Sequence, residues 1–144
     1  MQQVRFNYAD INSITLTKKK EVKLLIANIF KQEGKELQYI DYIFCSDEYL
    51  LNINRSFLHH DYYTDIITFD LSENKGIIGE VYISADRVKD NAITLQSTFF
   101  QEMLRVIFHG ALHLCGYKDK KKSEITLMRQ KEDYYLRSFE KRNL

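Results

Sequence analysis

Proline is missing from this 144-residue chain altogether, and tryptophan with it. Without proline, neither a cis-Pro turn nor a Pro-rich linker can form. Cysteine is nearly missing: Cys45 and Cys115 make no CxxC and no disulfide framework. A reduced, cytoplasmic setting is the simpler expectation for two such thiols. Long apolar runs are also lacking. No stretch approaches ~18 consecutive apolar residues, so no membrane span is expected. The segment Met1 to Asp10 has no apolar h-region and does not read as a signal peptide. Net charge is small as well, at +1, so only local clusters of charge carry information about partners.

What is present suits a globular protein. The chain is 44% hydrophobic and 28% charged, with ten Tyr and nine Phe to fill a core. Its length fits one domain, residues 1–144, with no internal repeat or linker. Val4, Phe6 and Tyr8 alternate with polar residues and predict a first strand. Thr17 is the expected N-cap of a helix to about Gln32, with Val22, Leu25, Ile26 and Ile29 on one face and Gly34 as its stop. Leu37 to Cys45 reads as a strand. Ser46 or Asp47 then caps a short helix carrying Leu50, Leu51 and Ile53. Thr64–Leu71 and Ile77–Ser84 read as neighbouring strands joined by a turn around Asn74-Lys75-Gly76. Helices follow over Asp86 to about Ala92, from Thr98 onward through a capping box with Gln101, and over roughly Ser123 to Glu140. In the last, Ile125, Met128, Tyr135 and Phe139 share a face. Strands cluster before residue 84 and helices after it, which predicts an α+β fold, a small mixed β-sheet packed against helices, rather than a regular βαβ alternation.

The scarcest useful residue is histidine. The chain has four, and two of them stand in His109-Gly110-Ala111-Leu112-His113-Leu114-Cys115-Gly116-Tyr117-Lys118-Asp119. Spacing of i, i+4 puts both imidazoles on one helical face, close enough to share a cation. Gly116 supplies a helix stop, and a chain reversal there can return Asp119 toward them. His109, His113 and Asp119 thus read as a three-ligand metal site with an open position, as in hydrolytic metal centres. Two histidines at this spacing are also often merely solvated or hydrogen-bonded.

At ~100° per residue, Phe100, Met103, Leu104, Ile107, Phe108, Ala111, Leu114 and Cys115 fall on one broad side of this helix. Glu102, Arg105, His109 and His113 fall in a narrow sector opposite, a polar stripe. Gly110 occupies the place where HExxH zinc proteases carry a glutamate base, which disfavours a peptidase. A small residue there permits close approach of a strand or of substrate. Cys45 and Cys115 read as buried structural thiols. His59 and His60 read first as a solvated loop pair, with substrate contact as the alternative.

The run His109 to Tyr117 resembles the signature of the YbeY family, bacterial rRNA-maturation endoribonucleases. Asn54 to Phe69, with Asp61, Thr64, Asp65 and Phe69, resembles that family's central loop and strand. Gly79-Glu80-Val81-Tyr82-Ile83 resembles another of its strands, and the C-terminal helix with Met128 also fits. The resemblance implies a zincin-like arrangement, with the metal on a central helix and the turn after it. It also implies one Zn²⁺ per chain, single-stranded rRNA as substrate, and the small ribosomal subunit or its proteins as partner. The implied role is processing of the 16S rRNA 3′ end and ribosome quality control. Two positions depart from the family pattern: Asp119 stands where the family has a third histidine, and Leu58 where it has an arginine.

Zn²⁺ on His109, His113 and Asp119 would activate water for phosphodiester hydrolysis. Arg105, one turn before His109, is the candidate for the missing phosphate-facing charge, with Arg55 as the other choice. Glu102 on the same stripe could orient Arg105 or accept a proton, with a plain surface glutamate as the simpler reading. Lys118, Lys120, Lys121 and Lys122 read first as a solvated charge run, but they flank the site and as phosphate contacts would give salt-dependent RNA binding. Lys18, Lys19, Lys20 and Lys23 form a second cluster, read as solvated. Tyr62, Tyr63 and Tyr117 could stack unpaired bases or serve as ordinary core or rim aromatics. The rival expectation is a non-catalytic ribosome- or RNA-binding assembly factor in which a structural metal only holds the C-terminal turn.

Overall fold

A computed structural model describes residues 2–143; Met1 and Leu144, the ends of the expected single domain, lie outside the described residues. The order of elements is β1 (Val4–Tyr8), α1 (Lys19–Gln32), β2 (Leu37–Cys45), α2 (Asp47–Leu58), β3 (Ile66–Asp70), β4 (Ile77–Ser84), α3 (Ala85–Thr94), α4 (Phe99–Leu114) and α5 (Lys122–Arg142). The four strands form one mixed sheet in the order β1-β2-β4-β3. β1, β2 and β4 run parallel, and β3 runs antiparallel to β4 along the sheet edge. The α+β expectation holds. The order β1-α1-β2 is as expected, but its two strands pair in parallel, so the first half contains a βαβ crossover.

Period-two side chains divide the sheet into two faces. On one face Ile40, Tyr42, Phe44, Val81 and Ile83 are fully buried beneath α1 and α4. On the other, Cys45, Ile67, Phe69 and Tyr82 pack with Leu50 and Ile53 of α2. Helix α4 is the centre of the larger core, touching α1, α3 and α5 as well as β3 and β4. The buried Tyr42 hydroxyl donates to the Ile107 carbonyl at 2.8 Å, so the sheet is tied to α4 half a turn from His109.

Local signals explain most boundaries. Ser46 and Thr98 cap α2 and α4 through their hydroxyls, which accept from Tyr49 N and Gln101 N. The box at Thr98 is only half formed, because Gln101 Oε1 lies against the Ser97 hydroxyl instead of the Thr98 amide. Helix α1 starts two residues after Thr17, with Lys18 in the left-handed region and no side-chain cap; Glu21 faces the N-terminal dipole. Its stop at Gly34 is as expected, with φ 71°. Helix α3 runs on to Thr94, two residues past Ala92. Ile125 leaves the expected apolar face of α5: it is exposed, while Met128, Tyr135 and Phe139 are buried.

Both cysteines are buried, as expected, and burial pushes each thiol up to about 12. Since the thiolate is the nucleophile, native protein is expected to resist alkylation by iodoacetamide at pH 8 for hours. Denatured protein should take up two equivalents within minutes, read by intact mass; fast labelling of the native state would contradict the packing.

Candidate metal centre

Helix α4 is buried along nearly its whole circumference. From Glu102 to Cys115, the positions that are not buried are Arg105, His109 and His113. The polar stripe therefore looks out through a narrow window. Helix α5 borders that window on one side and the edge strand β3 on the other, since both pack on α4.

The turn after α4 brings in the third corner. Gly116 adopts φ 106°, a conformation that side chains rarely tolerate. Its amide donates to the His113 carbonyl at 2.9 Å and the Tyr117 amide to the Leu112 carbonyl at 3.1 Å, a Schellman closure. The reversal lays the Tyr117 carbonyl over His113 and swings Asp119 back across the helix end. Asp119 Oδ2 then stands 3.1 Å from His109 Nε2 and 3.3 Å from His113 Nε2. Ligand atoms of these three residues all lie within 4.8 Å of one another.

Whether these residues suit a cation depends on which ring nitrogens carry protons. His109 Nδ1 donates to Glu132 Oε2 at 2.6 Å, and His113 Nδ1 donates to the Tyr117 carbonyl at 2.9 Å. Both acceptors demand a proton on Nδ1, which leaves the Nε2 lone pairs turned toward one point beside the Asp119 carboxylate. Outer partners of this kind orient metal-binding imidazoles and raise their basicity. Two imidazoles and a carboxylate form a donor set that suits Zn²⁺. The donor set fits a divalent cation.

Electrostatics tighten the arrangement. Burial works against the His109 imidazolium, but the hydrogen bond and charge of Glu132, with Asp119 and Asp65, outweigh it and raise its pKa. Burial raises the carboxyls of Asp65 and Glu102 in the cleft wall above their ordinary values. Glu132 is 5% exposed; it accepts from Arg105 at 2.9 Å as well as from His109. Arg105 also donates to Asp133 at 2.8 Å.

A second relay supports His113. Glu33, at the end of α1, accepts from the hydroxyls of Tyr117 and Tyr135 at 2.6 and 2.5 Å and from Lys131 at 3.1 Å. Tyr117 is thereby anchored in the interior by its ring while its carbonyl holds His113; it is not a stacking surface. Tyr63 is likewise engaged, with Glu48 at its hydroxyl and Arg87 over its ring.

The site opens into a cleft of about 810 Å³ whose lining includes His109, His113, Asp119, Arg105, Glu102 and Glu132. All five expected site residues are thus brought together. Leu58 and Tyr62 line the cleft too, as does Lys120 from its lysine cluster. Arg55, in the last turn of α2, instead pairs with Asp61 of the following exposed loop at 2.5 Å. In the second lysine cluster, Lys19 and Lys23 lie against Tyr8 and Phe6 of β1, and Lys18 reaches the Asn143 carbonyl.

Sequence reasoning missed Glu132 and Glu33. For Glu132 a signal existed: it falls in the register of Met128, Tyr135 and Phe139, a carboxylate on an otherwise apolar helix face. Nothing local marks Glu33.

Residues 6–140 match the family described as Endoribonuclease YbeY. The chain belongs to the YbeY family. An Endoribonuclease YbeY of Cytophaga hutchinsonii is 50% identical over 133 residues, covering 92% of this chain and 93% of that protein. One of Bacteroides thetaiotaomicron is 46% identical over 116 residues, 81% of this chain and 85% of that protein. Among solved structures, TM1509 of Thermotoga maritima superposes with a TM-score of 0.64 at 27% identity, over 94% of this chain and 88% of that one. The family resemblance of the histidine run therefore extends over the whole YbeY fold, β3 edge and closing helix included.

Proposed function

We propose that this YbeY-family chain is a metal-dependent endoribonuclease that hydrolyses phosphodiester bonds in single-stranded rRNA. The observation that carries the proposal is the pair of Nε2 atoms, each fixed by a proton on Nδ1, converging with Asp119 on the floor of an open cleft. A site closed on all sides would suit a structural metal; an open one suits catalysis. The rival assembly-factor reading has in its favour Asp119 in place of a third histidine and Leu58, an apolar residue lining the cleft where the family has an arginine; the open cleft over the three candidate ligands favours the nuclease.

A divalent cation at this point, with Zn²⁺ as the proposed ion, supplies Lewis-acid activation of water and of a phosphoryl oxygen. The remaining work belongs to side chains. His109, His113 and Asp119 hold the cation. Glu132 and the Tyr117 carbonyl keep both imidazoles in the binding tautomer. Arg105 keeps Glu132 in place; with Glu132 and Asp133 both on its guanidinium, it acts as a positioning residue rather than as the free phosphate-facing charge expected from the sequence. Glu102 lines the same cleft two turns of α4 before His109, and its buried carboxyl, raised above the ordinary value, is the candidate to accept a proton. The 16S rRNA 3′ end is the proposed target, the small ribosomal subunit the proposed partner, and the cytoplasm the proposed location. Among the described residues no helix is long and apolar enough to cross a membrane.

The test compares metal-loaded wild type, chelated wild type and His113→Ala for both cleavage and binding of a short single-stranded RNA. Cleavage by the loaded wild type alone is expected, with at least a ~100-fold loss in the other two. Cleavage that persists through chelation ends the metal proposal. Binding without any cleavage, unaffected by metal, would favour the assembly factor.

A further inference from the structure

The cleft has two unlike walls. One comes from the loop between α2 and β3 and carries Leu58, His60 and Tyr62; the other comes from the turn after α4 and from α5 and carries Lys120 and Arg129. The candidate metal ligands lie on α4 and its turn, between these segments.

The aromatic wall is a clamped loop that presents two rings to solvent. Asn54 is 2% exposed, yet its side-chain amide donates to the Tyr62 carbonyl at 2.9 Å, and its own carbonyl accepts from the His60 amide at 3.1 Å. His59 turns the chain with φ 57°. The backbone is therefore held from beneath. The rings of His60 and Tyr62 stack at 5.2 Å with planes 20° apart, and Tyr62 Oη lies 3.0 Å from His60 Nδ1. Tyr62 remains 56% exposed. Of the three tyrosines with stacking potential, Tyr63 and Tyr117 are engaged by Glu48 and Glu33, while Tyr62 faces the cleft.

We infer that the His60–Tyr62 pair is a subsite for one unpaired nucleobase of the RNA strand, seated while the adjoining phosphate lies toward Lys120, Arg129 and the metal centre. The inference rests on the nuclease function proposed above. A nucleotide has an apolar, stackable base and an anionic phosphate, matching the two walls. Stacking on an aromatic ring is tolerant of base identity and needs an open π-face. In a duplex both faces of each base are covered by neighbours, so base pairs cannot reach this platform without unstacking. The subsite thus makes the enzyme selective for single strands and weakly selective for sequence.

The test is an abasic walk along a short single-stranded RNA, with competitive binding and cleavage measured on metal-loaded wild type, Tyr62→Ala and Tyr62→Phe. In wild type one abasic position should weaken binding about 10-fold. Tyr62→Ala should bind intact RNA about 10-fold more weakly, through KM with kcat within about two-fold, and should be indifferent to that same abasic position. Tyr62→Phe, which keeps the ring, should match wild type. A Tyr62→Ala protein that binds as wild type, or that shows the same abasic penalty, overturns the subsite while leaving the nuclease standing. Wild type that neither binds nor cleaves the RNA overturns both. Because Tyr62 is exposed, unchanged melting temperatures are expected for both variants; should Tyr62→Ala melt early, His60→Ala and Tyr62→Phe carry the same comparison.

Discussion

Glu132→Ala is expected to weaken divalent-cation binding by about 10- to 100-fold, the usual cost of losing an outer partner of a metal-binding imidazole. The carboxylate touches no candidate ligand position itself. It accepts the His109 Nδ1 proton at 2.6 Å, so it decides which nitrogen of that ring is free. Without it the Nδ1–H loses its acceptor, the ring can rotate, and the two tautomers become comparable. Arg105 loses one of its two carboxylates and keeps Asp133 at 2.8 Å. A stability loss of about 1–3 kcal/mol is expected for removing that buried acceptor. Competition of the apoprotein with a chromogenic chelator reads the affinity, and urea unfolding reads the stability. Glu132→Gln separates the two effects: its amide oxygen can still accept from Nδ1, so affinity should fall less than in the alanine variant. Equal affinities across wild type, Gln and Ala would remove Glu132 from the site. Arg105→Ala should show a smaller fall in metal affinity by the same route, whereas a residue serving phosphate alone would leave it unchanged.

Gly110→Ala should destabilise the fold by about 1–3 kcal/mol, the ordinary range for overpacking a tight core. A Cβ at this position would stand 2.8 Å from Val81 Cγ1 and 3.2 Å from Ile66 Cδ1. Val81 is β-branched on a central strand and has little rotamer freedom with which to retreat. Either α4 lifts from the sheet and carries His109 with it, or the strands shift beneath the helix and change the cleft edge at β3. Gly110→Glu, which would recreate the HExxH pattern, is expected to leave no soluble folded protein, because a carboxylate would be driven between α4 and the sheet. Chemical denaturation and near-ultraviolet circular dichroism report both outcomes. A Gly110→Ala protein as stable as wild type, with unaltered metal affinity, would show that the helix–sheet spacing is not set here. The same contact settles the question of what the small residue admits: it is the strands, not substrate.

Elements with a strong local cause were legible in the sequence. β2 and β4 match their expected bounds because alternating apolar side chains and a turn at Gly76 leave one choice. Helix α4 matches because Thr98 caps it and Gly116 ends it. The three candidate ligands were also legible, since i, i+4 spacing and a glycine turn bring residues together through local geometry alone. Elements whose position depends on distant partners were less so. Ile125 left its expected face because α5 packs on α4 through Met128, Glu132, Tyr135 and Phe139, and that choice of face belongs to the partner helix. Thr17 lost its capping role to a left-handed Lys18, whose ammonium reaches the Asn143 carbonyl at the far end of the chain.

What the sequence by itself determined is the candidate ligand set: His109 and His113 on one stripe, Asp119 after a forced reversal, and a glycine where a protease base would stand. Those relations span at most ten residues and follow from helix pitch and the conformational freedom of glycine. The tertiary structure alone decided how those side chains are supported and what they face. Glu132 lies 23 residues from His109 and Glu33 lies 84 from Tyr117, distances at which neither periodicity nor propensity carries information. Only the packing of α5 and α1 around α4 could turn two surface-type carboxylates inward. The same packing brought the clamped loop with Tyr62, the segment with Lys120 and the candidate metal ligands into one cleft.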